Sequence, residues 1–392
     1  MRTTIAFLAI AIFLPTVAFA QQKSCRVVDA ETKAGLEGVL VNSRSGQTLT
    51  NAEGRFVYKA STDSLHFHYI GYRDAARKAS EVGDTILLVP LDYVLKEVVV
   101  MPTESLLQKI TASTYSNVKP HLRESSDFFY RQTSMRSDSC FEISEAWVKG
   151  CNALNVRDLK YSFGRTLRAK EETDINRFRN LFILAMLTPL NFSGRNAPVI
   201  APLVWANRTK GYYGEVYSVQ CDVLGDGSGH AVYRIDFEDA RSTYTGKPII
   251  VGSIYADMES FRILRFRGAI KHLPIRQTRQ DGTTTERIAG AVTFDISYAY
   301  NRGFMEAYAA HAELADSIDG KDYTYKITLF RTDGHDLKAG QKMYSSTNLL
   351  GLIDRNRLDS DFWERNAIVQ RTKEEIAAIS NWESGDDDTL KH

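Results

Sequence analysis

The sequence has little of several features that mark specialised proteins. Its 392 residues include only four cysteines and nine prolines, and its charge is nearly balanced, with 49 Lys and Arg against 48 Asp and Glu. A balanced charge argues against nucleic acid or an anionic membrane surface as a partner. Beyond the N-terminus, the apolar run "LFILAMLTPLNF" is too short to span a bilayer and is predicted to belong to a buried helix.

The first twenty residues form the one long apolar stretch. Arg2 precedes "IAFLAIAIFLPTVAFA", which ends in Ala18-Phe19-Ala20, a small-x-small cleavage pattern. This arrangement predicts a secretory signal peptide over residues 1–20. Without Arg2, the mature chain would carry 48 residues of each sign. It would have no transmembrane segment and would lie outside the cytoplasm.

The four cysteines are Cys25, Cys140, Cys151 and Cys221. In an oxidising compartment they could form two disulfides with three connectivities, and Cys140 and Cys151 are the closest pair in sequence. The alternative is that all are buried free thiols, and the sequence leaves the choice open. Because no CxxC pattern occurs, neither a zinc knuckle nor a redox motif is indicated.

Short extended runs recur through residues 23–101 at spacings of about 8–12 residues, which is typical of all-β domains. In "SLHFHYIGY", Leu65 and Phe67 alternate with His66 and His68. A strand with one face on a core would bury Leu65 and Phe67 and leave the two histidines exposed. A metal site would need a third and usually a fourth ligand, so we predict no metal at these histidines.

The same region contains "VVDAETKAGLEGVLV", "TLTNAEGRFVYKA", "LHFHYIGYRD" and "DTILLVPLDYVLKEVVVM" in this order. With these motifs it resembles the carboxypeptidase-like regulatory domain of Gram-negative envelope proteins, over about 75 residues. The resemblance implies a seven-stranded, transthyretin-like β-sandwich without catalytic residues. It also implies a periplasmic or outer-membrane-associated location after secretion across the inner membrane.

Alternating runs continue through residues 102–382, among them "YYGEVYSVQCDVL", "HAVYRIDFED" and "GSIYADMESFRILRFRGAI". Such strands in series predict an antiparallel meander or half-barrel. Apolar periodicity predicts helices near 104–118 and 174–188 that pack on it, and the polar stretch 383–392 predicts a disordered tail. The expected fold class is mainly β, with the N-terminal sandwich followed by this larger β-rich domain.

His121-Leu-Arg-Glu124, with a distant His230, matches the metal-ligand pattern of zinc carboxypeptidases. Its surroundings, "SNVKPHLRESSD", are polar and contain Pro120, which predicts a loop and not the rigid support that a metal pair needs. We therefore predict no catalytic residue, no metal and no cofactor. The many tyrosines and phenylalanines either pack a β core or line a groove for sugar or lipid.

These observations predict a non-catalytic, secreted cell-envelope protein that acts as a docking or interaction module. Its partner would be an outer-membrane or periplasmic protein, with no role for nucleic acid. One alternative is a carrier of an apolar, lipid-like ligand in a groove of the curved sheet, and another is a zinc metallopeptidase. Through "SEAWVKG" and "DFWERNAIV", the larger domain also resembles a region of uncharacterised envelope proteins, which implies no reaction.

Overall fold

The protein is mainly β, as predicted, in a computed structural model. Its described helical elements are the α-helices Thr103–Val118 (α1) and Lys373–Ser384 (α2) and a short 3-10 turn at Lys119–His121. The structure describes residues 22–44, 46–59, 63–93, 102–121, 124–151, 160–169, 217–225, 231–239, 249–272, 274–278, 284–288, 291–300, 303–318, 320–332, 341–342, 363 and 369–384.

Seven strands near the N-terminus form two small sheets, which together we call the sandwich. The strands are Gln22–Asp29 (β1), Leu40–Ser43 (β2), Gly46–Leu49 (β3), Arg55–Lys59 (β4), Ser64–His68 (β5), Ala75–Lys78 (β6) and Thr85–Leu88 (β7). One sheet has the order β4-β1-β7, with β1 and β7 parallel, and the other has the order β3-β2-β5-β6. Their shared core includes Phe56 and Phe67, which are at most 1% exposed.

The turn between β3 and β4 depends on two residues. The Asn51 side-chain oxygen accepts hydrogen bonds from the backbone N–H groups of Glu53 at 3.0 Å and Arg55 at 2.8 Å. Gly54 has a φ of 78°, and a Cβ there would lie 2.3 Å from the Val27 carbonyl oxygen on β1. Glycine adopts this φ without a steric penalty and leaves room for the neighbouring strand, so it allows β4 to pair with β1.

Twelve of the other described strands form one antiparallel sheet. Its strands are Asp92–Tyr93 (β8), Ser125–Arg136 (β9), Ser139–Cys151 (β10), Lys160–Arg168 (β11), Tyr217–Gly225 (β12), Ala231–Asp239 (β13), Ile249–Asp257 (β14), Ile263–Lys271 (β15), Ala291–Ala299 (β18), Glu306–Ile318 (β19), Lys321–Thr332 (β20) and Gln341–Lys342 (β21). A separate hairpin pairs Pro274–Thr278 (β16) with Thr284–Ile288 (β17).

The order across the large sheet is β21-β11-β10-β9-β20-β19-β18-β15-β14-β13-β12-β8. Strands β12 to β15 and β18 to β20 therefore form one meander, and β9 to β11 form a second that joins it where β9 pairs with β20. Strand β8 falls within the region 23–101 predicted for the sandwich, yet it pairs with β12 of the large sheet. The chain thus enters the large sheet directly after leaving the sandwich.

The two faces of the large sheet differ in character. One face is apolar, and α1 packs on it through Leu107 and Ile110. The sheet residues of this core include Ile235, Ile254, Phe266, Ile296, Ala310 and Leu329. Gly252 on β14 lies directly opposite Gly268 on β15, and a Cβ on either would come within 2.2 Å of a backbone oxygen of the other strand. This glycine pair lets the two strands approach more closely than side chains would permit.

Two predicted boundaries can be compared with the structure. The helix predicted near 104–118 corresponds to α1, whereas the helix predicted near 174–188 lies outside the described residues. The tail predicted from residue 383 starts too early, because α2 continues to Ser384.

The signal peptide 1–20 and residues 385–392 also lie outside the described ranges. In the described part of the chain, no helix combines the length and apolar character needed to cross a membrane.

The Cys140–Cys151 disulfide left open by the sequence is incompatible with β10. These residues lie near opposite ends of that strand, with Cys140 opposite Met135 and Cys151 opposite Ser125 of β9. At about 3.3 Å per residue the two Cα atoms are roughly 36 Å apart, whereas a disulfide requires less than about 7 Å. Cys25, Cys140 and Cys221 are free thiols, and burial raises the pKa of Cys140 to about 12.

Candidate functional site

One row of polar side chains crosses the large sheet on the face opposite the apolar core. Each member lies directly opposite the next on the neighbouring strand, from β11 at one side to β12 at the other. We call it the polar row, and its members are Arg165, Glu145, Arg131, Thr328, His311, Asp295, Arg267, Ser253, Asp236 and Gln220. Because paired residues share a face, these side chains form a continuous polar band.

Arg265 fixes the sandwich to this face. It lies on β15, two residues before a member of the polar row, and is only 3% exposed. Its Nε donates to Asp295 Oδ1 at 2.7 Å, and its terminal nitrogens donate to the Ile70 carbonyl at 3.0 Å and the Tyr69 hydroxyl at 2.6 Å. The Tyr69 ring also lies 4.3 Å from the guanidinium. One buried cation thus binds the neighbouring strand β18 and the loop after β5.

A second contact joins Glu37 of the sandwich to His311 at the middle of the polar row. His311 Nδ1 lies 3.4 Å from both Glu37 Oε1 and Thr328 Oγ1. Its Nε2 is buried, and no partner for it occurs among the described residues. Burial alone would lower the pKa of His311, but the Glu37 carboxylate outweighs it and raises this pKa. A Cβ on Gly38 would lie 2.8 Å from Nε2, so the backbone packs closely on the ring.

At the other end of the row, Glu145 joins three arginines. Its carboxylate accepts from Arg131 Nε at 2.8 Å, Arg165 Nε at 2.7 Å and Arg371 at 3.4 Å. Burial alone would raise the pKa of Glu145, but these arginines lower it to about 2. Arg131 also donates to the Val369 carbonyl at 3.2 Å. The segment before α2 is therefore bound to the sheet through a buried ionic network.

The N-terminus of α2 is anchored at the same place. Thr372 and Glu375 form a capping box, in which each side chain accepts from the backbone N–H of the other, at 3.0 and 3.2 Å. The second oxygen of Glu375 accepts from Thr133 Oγ1 on β9 at 2.5 Å. A helix cap and a contact between segments distant in sequence thus share one carboxylate.

In the described part of the chain, the sandwich and the segment before α2 both contact the large sheet, and we call this region the junction. Three open clefts lie along it. The first, of about 440 Å³, has Arg267, Asp295 and His311 in its lining. The second, of about 300 Å³, lies between the sandwich, β9 and the segment before α2, and Glu37 lines both of these clefts. The third, of about 500 Å³, lies between β2, β5 and β6 of the sandwich and β18 and β19 of the sheet. All three volumes fall in the range typical of small-molecule sites.

The structure places the histidines singled out in the sequence at two separate sites. His66 and His68 line the third cleft, and His68 Nδ1 pairs with Asp74 Oδ1 at 2.8 Å. His121 stacks on Phe304 with ring centres 4.3 Å apart, while His230 lies outside the described residues. Within the described ranges, no three metal-ligating side chains come close enough to hold an ion.

The sequence analysis missed the residues that form the junction. Arg265, His311, Glu37 and Glu145 were not singled out, although charged residues within strand patterns such as "RILRFRG" and "FEISEAWV" were a visible signal. A charged residue in a strand that alternates with apolar residues indicates one of two arrangements. Its side chain is exposed to solvent, or it pairs with polar side chains on neighbouring strands. Only the register between strands shows that these charges belong to one row.

Comparisons with known proteins add little to this geometry. No family model matches the chain, and no curated protein matches it. Among solved structures, one match is a protein from Bacteroides fragilis that is described as membrane-associated and of unknown function. It is 12% identical, the match covers 80% of this chain and 97% of that chain, and the TM-score is 0.15. A score this low gives no basis for transferring fold or function.

Proposed function

We propose that this protein is a non-catalytic interaction protein of the cell envelope, in which the sandwich docks a protein partner. The signal-peptide pattern and the resemblance to an envelope regulatory domain support the location. The partner would be a periplasmic or outer-membrane protein. The observation that carries the docking role is the edge strand β7.

Strand β7 ends the sheet order β4-β1-β7, so one of its sides has no described neighbour. On the β1 side, Arg26 N–H donates to the Asp84 carbonyl and Ala30 N–H donates to the Leu88 carbonyl. Backbone groups of alternate residues face opposite sides of a strand, so those of Thr85 and Leu87 point to the open edge. Such an edge can accept an extended segment of another protein as an added strand.

An apolar side chain accompanies this open edge. Leu87 on β7 is 49% exposed and belongs to the few large apolar side chains that the described surface leaves in solvent. Val89, which is 43% exposed, follows the strand, and its carbonyl already accepts from the Arg73 backbone N–H at 2.9 Å, so the open edge is limited to β7 itself. Proteins usually protect an exposed edge strand with charged residues or proline, and an edge that instead carries an exposed Leu fits a surface that a partner covers.

The test is native mass spectrometry of the mature protein purified gently from its host envelope, for the wild type and two variants. Leu87→Asp places a charge on the open edge, which opposes strand addition. Ile376→Asp is the matched control, because Ile376 is 50% exposed but lies on α2. We expect a stoichiometric protein partner with the wild type and Ile376→Asp, and its loss with Leu87→Asp.

Two results would contradict the proposal. A partner that remains bound to Leu87→Asp would show that β7 does not carry the docking function. A hydrolase activity of the purified protein that is lost on a single-residue substitution would show that the protein is an enzyme.

The apolar-ligand alternative stays a prediction with its own readout. The apolar face of the sheet is buried, with Ile235, Ile254 and Phe266 at 0% exposure. A lipid would therefore have to displace side chains that now fill this space. A lipid-sized mass adduct in the same spectra would favour that alternative over docking.

A further inference from the structure

The third cleft differs in its chemistry from the charged clefts beside it. Its walls come from both the sandwich and the large sheet, and they include Leu40, Leu264 and the tyrosines Tyr298, Tyr300 and Tyr308. Among the described residues of the lining there is no Lys or Arg, and Asp74 is the one acidic residue. The cleft is thus largely uncharged and rich in aromatic rings.

A buried polar atom of the sandwich wall is left without a hydrogen-bond partner. Asn42 Oδ1 is buried and is not paired within the described part of the chain, whereas the Tyr298 side chain packs in the apolar core of the large sheet. Asn42 lies on β2 directly opposite His66 on β5, so an acceptor and an imidazole stand side by side at the sandwich wall. A buried polar atom without a partner destabilises the protein, and a ligand hydroxyl could donate a hydrogen bond to it.

The aromatic side of the cleft is held in place before any ligand binds. The Tyr300 hydroxyl donates to the Ile263 carbonyl at 2.9 Å, and the Arg262 guanidinium lies 4.9 Å from the ring centre. A ring fixed by two contacts loses little conformational entropy when a ligand stacks on it. The surface is therefore preorganised for a flat partner.

The charges of the lining narrow the class of ligand. Asp74 is 72% exposed and already pairs with His68, so the cleft offers no strong site for a cation. Arg262 lies against the Tyr300 ring but outside the described lining, which therefore presents no cation to an anion. A fatty acyl chain would leave Asn42 Oδ1 unpaired. A sugar ring has hydroxyl groups around its edge and C–H groups on its faces, which matches isolated polar atoms beside aromatic rings.

We infer that this cleft binds a neutral oligosaccharide, with Asn42 and His66 contacting its hydroxyl groups and Tyr300 stacking on a ring. This ligand site goes beyond the proposed docking function. It does not involve β7, so the two ideas are tested by different variants.

The test is an NMR titration of the mature protein labelled with 13C at the histidine Cε1 positions. The signals of His66 and His68 are assigned from His66→Gln and His68→Gln variants. The probes are the trisaccharides of N-acetylglucosamine, glucose, mannose and galactose, with dodecanoate and inorganic phosphate as probes for the other ligand classes. We expect at least one trisaccharide to shift both signals in a saturable manner, and neither dodecanoate nor phosphate to do so.

Variants then localise the binding. Asn42→Ala and Tyr300→Ala should each weaken the affinity at least tenfold, and Tyr300→Phe should restore most of it because it keeps the ring. Asn117→Ala is the matched control, because Asn117 bonds to Ser113 on α1, and it should bind as the wild type does. The thermal midpoint of each variant shows whether it is folded.

The inference is overturned if no trisaccharide shifts either signal, or if binding survives both Asn42→Ala and Tyr300→Ala in folded protein. A saturable response to dodecanoate or phosphate alone would assign the cleft to another ligand class. Loss of the protein partner in Leu87→Asp, with sugar binding intact, would separate this site from the docking edge.

Discussion

Replacing Glu145 by Gln tests whether the ionic network at the end of the polar row stabilises the fold. The substitution keeps the shape of the side chain but removes the one charge that the three arginines share. Glu145 is 2% exposed, and Arg131 beside it is 9% exposed, so little water can replace the lost carboxylate. Removing one partner of a buried ion pair typically costs about 3–5 kcal/mol.

The pKa of Glu145 gives an independent magnitude. A folded pKa of about 2 against an ordinary value of 4.5 corresponds to about 3 kcal/mol of stabilisation. Because the pKa is lowered on folding, this contribution is complete above pH 4.5 and is lost as the pH falls through 2. At pH 3 about two fifths of it should remain.

The assay is urea unfolding followed by tryptophan fluorescence. Trp147 lies on β10 of the large sheet and is 0% exposed, so the signal reports on the unfolding of that sheet. We expect Glu145→Gln to lose about 3 kcal/mol at pH 7 and about 1 kcal/mol at pH 3. Glu313→Gln, an exposed carboxylate on the same sheet, is the control and should stay within about 0.5 kcal/mol of the wild type. A loss below about 1 kcal/mol at pH 7, or one that is equal at both pH values, would refute the reasoning.

Three further predictions concern the glycine pair of β14 and β15, the contact between His311 and Glu37, and the cysteine thiols. Gly252→Ala should destabilise the sheet by about 1–3 kcal/mol in the same urea assay, because its Cβ has no room, whereas Gly83→Ala, with open space around it, should be nearly neutral. Because the pKa of His311 is raised, its ion pair with Glu37 forms at low pH and weakens as the pH rises through that pKa. Hydrogen exchange of residues 36–40 should therefore speed up beyond the intrinsic pH effect in the wild type but not in His311→Gln. Cys140 should react with iodoacetamide at pH 8 only after unfolding, since burial raises the pKa of its thiol to about 12, and fast labelling of the folded chain would contradict this.

Local patterns were enough to predict the elements that depend on near neighbours. Alternation in the strand around His66 predicted that Leu65 and Phe67 are buried, and they are 3% and 1% exposed. The turn at Asn51 and Gly54 is equally local, since Asn51 accepts from backbone groups two and four residues on and Gly54 has a positive φ. These features follow from the side-chain period of a strand and from glycine's backbone freedom, both of which a short window contains.

The junction and the sheet order could not be predicted in this way. Arg131 lies opposite Thr328 and Arg265 binds the Ile70 carbonyl, and nothing in either local pattern names the other partner. The register between distant strands arises from the packing of the whole sheet. The candidate cleft was missed for the same reason, because part of its lining comes from the sandwich and part from the large sheet.

The pairing of β9 with β20 also has a consequence for the order of folding. Thr332 donates to the Asp127 carbonyl, 205 residues away, and among the described strands β20 alone links β9 to β11 to the main meander. Contacts this distant in sequence slow folding, because the long loop between them must close first. During synthesis, β9 to β11 must therefore wait until β20 has been made before they join the sheet. A chain that stops before β20 would leave the edge of β9 open, and such unpaired edges make incomplete chains prone to aggregate.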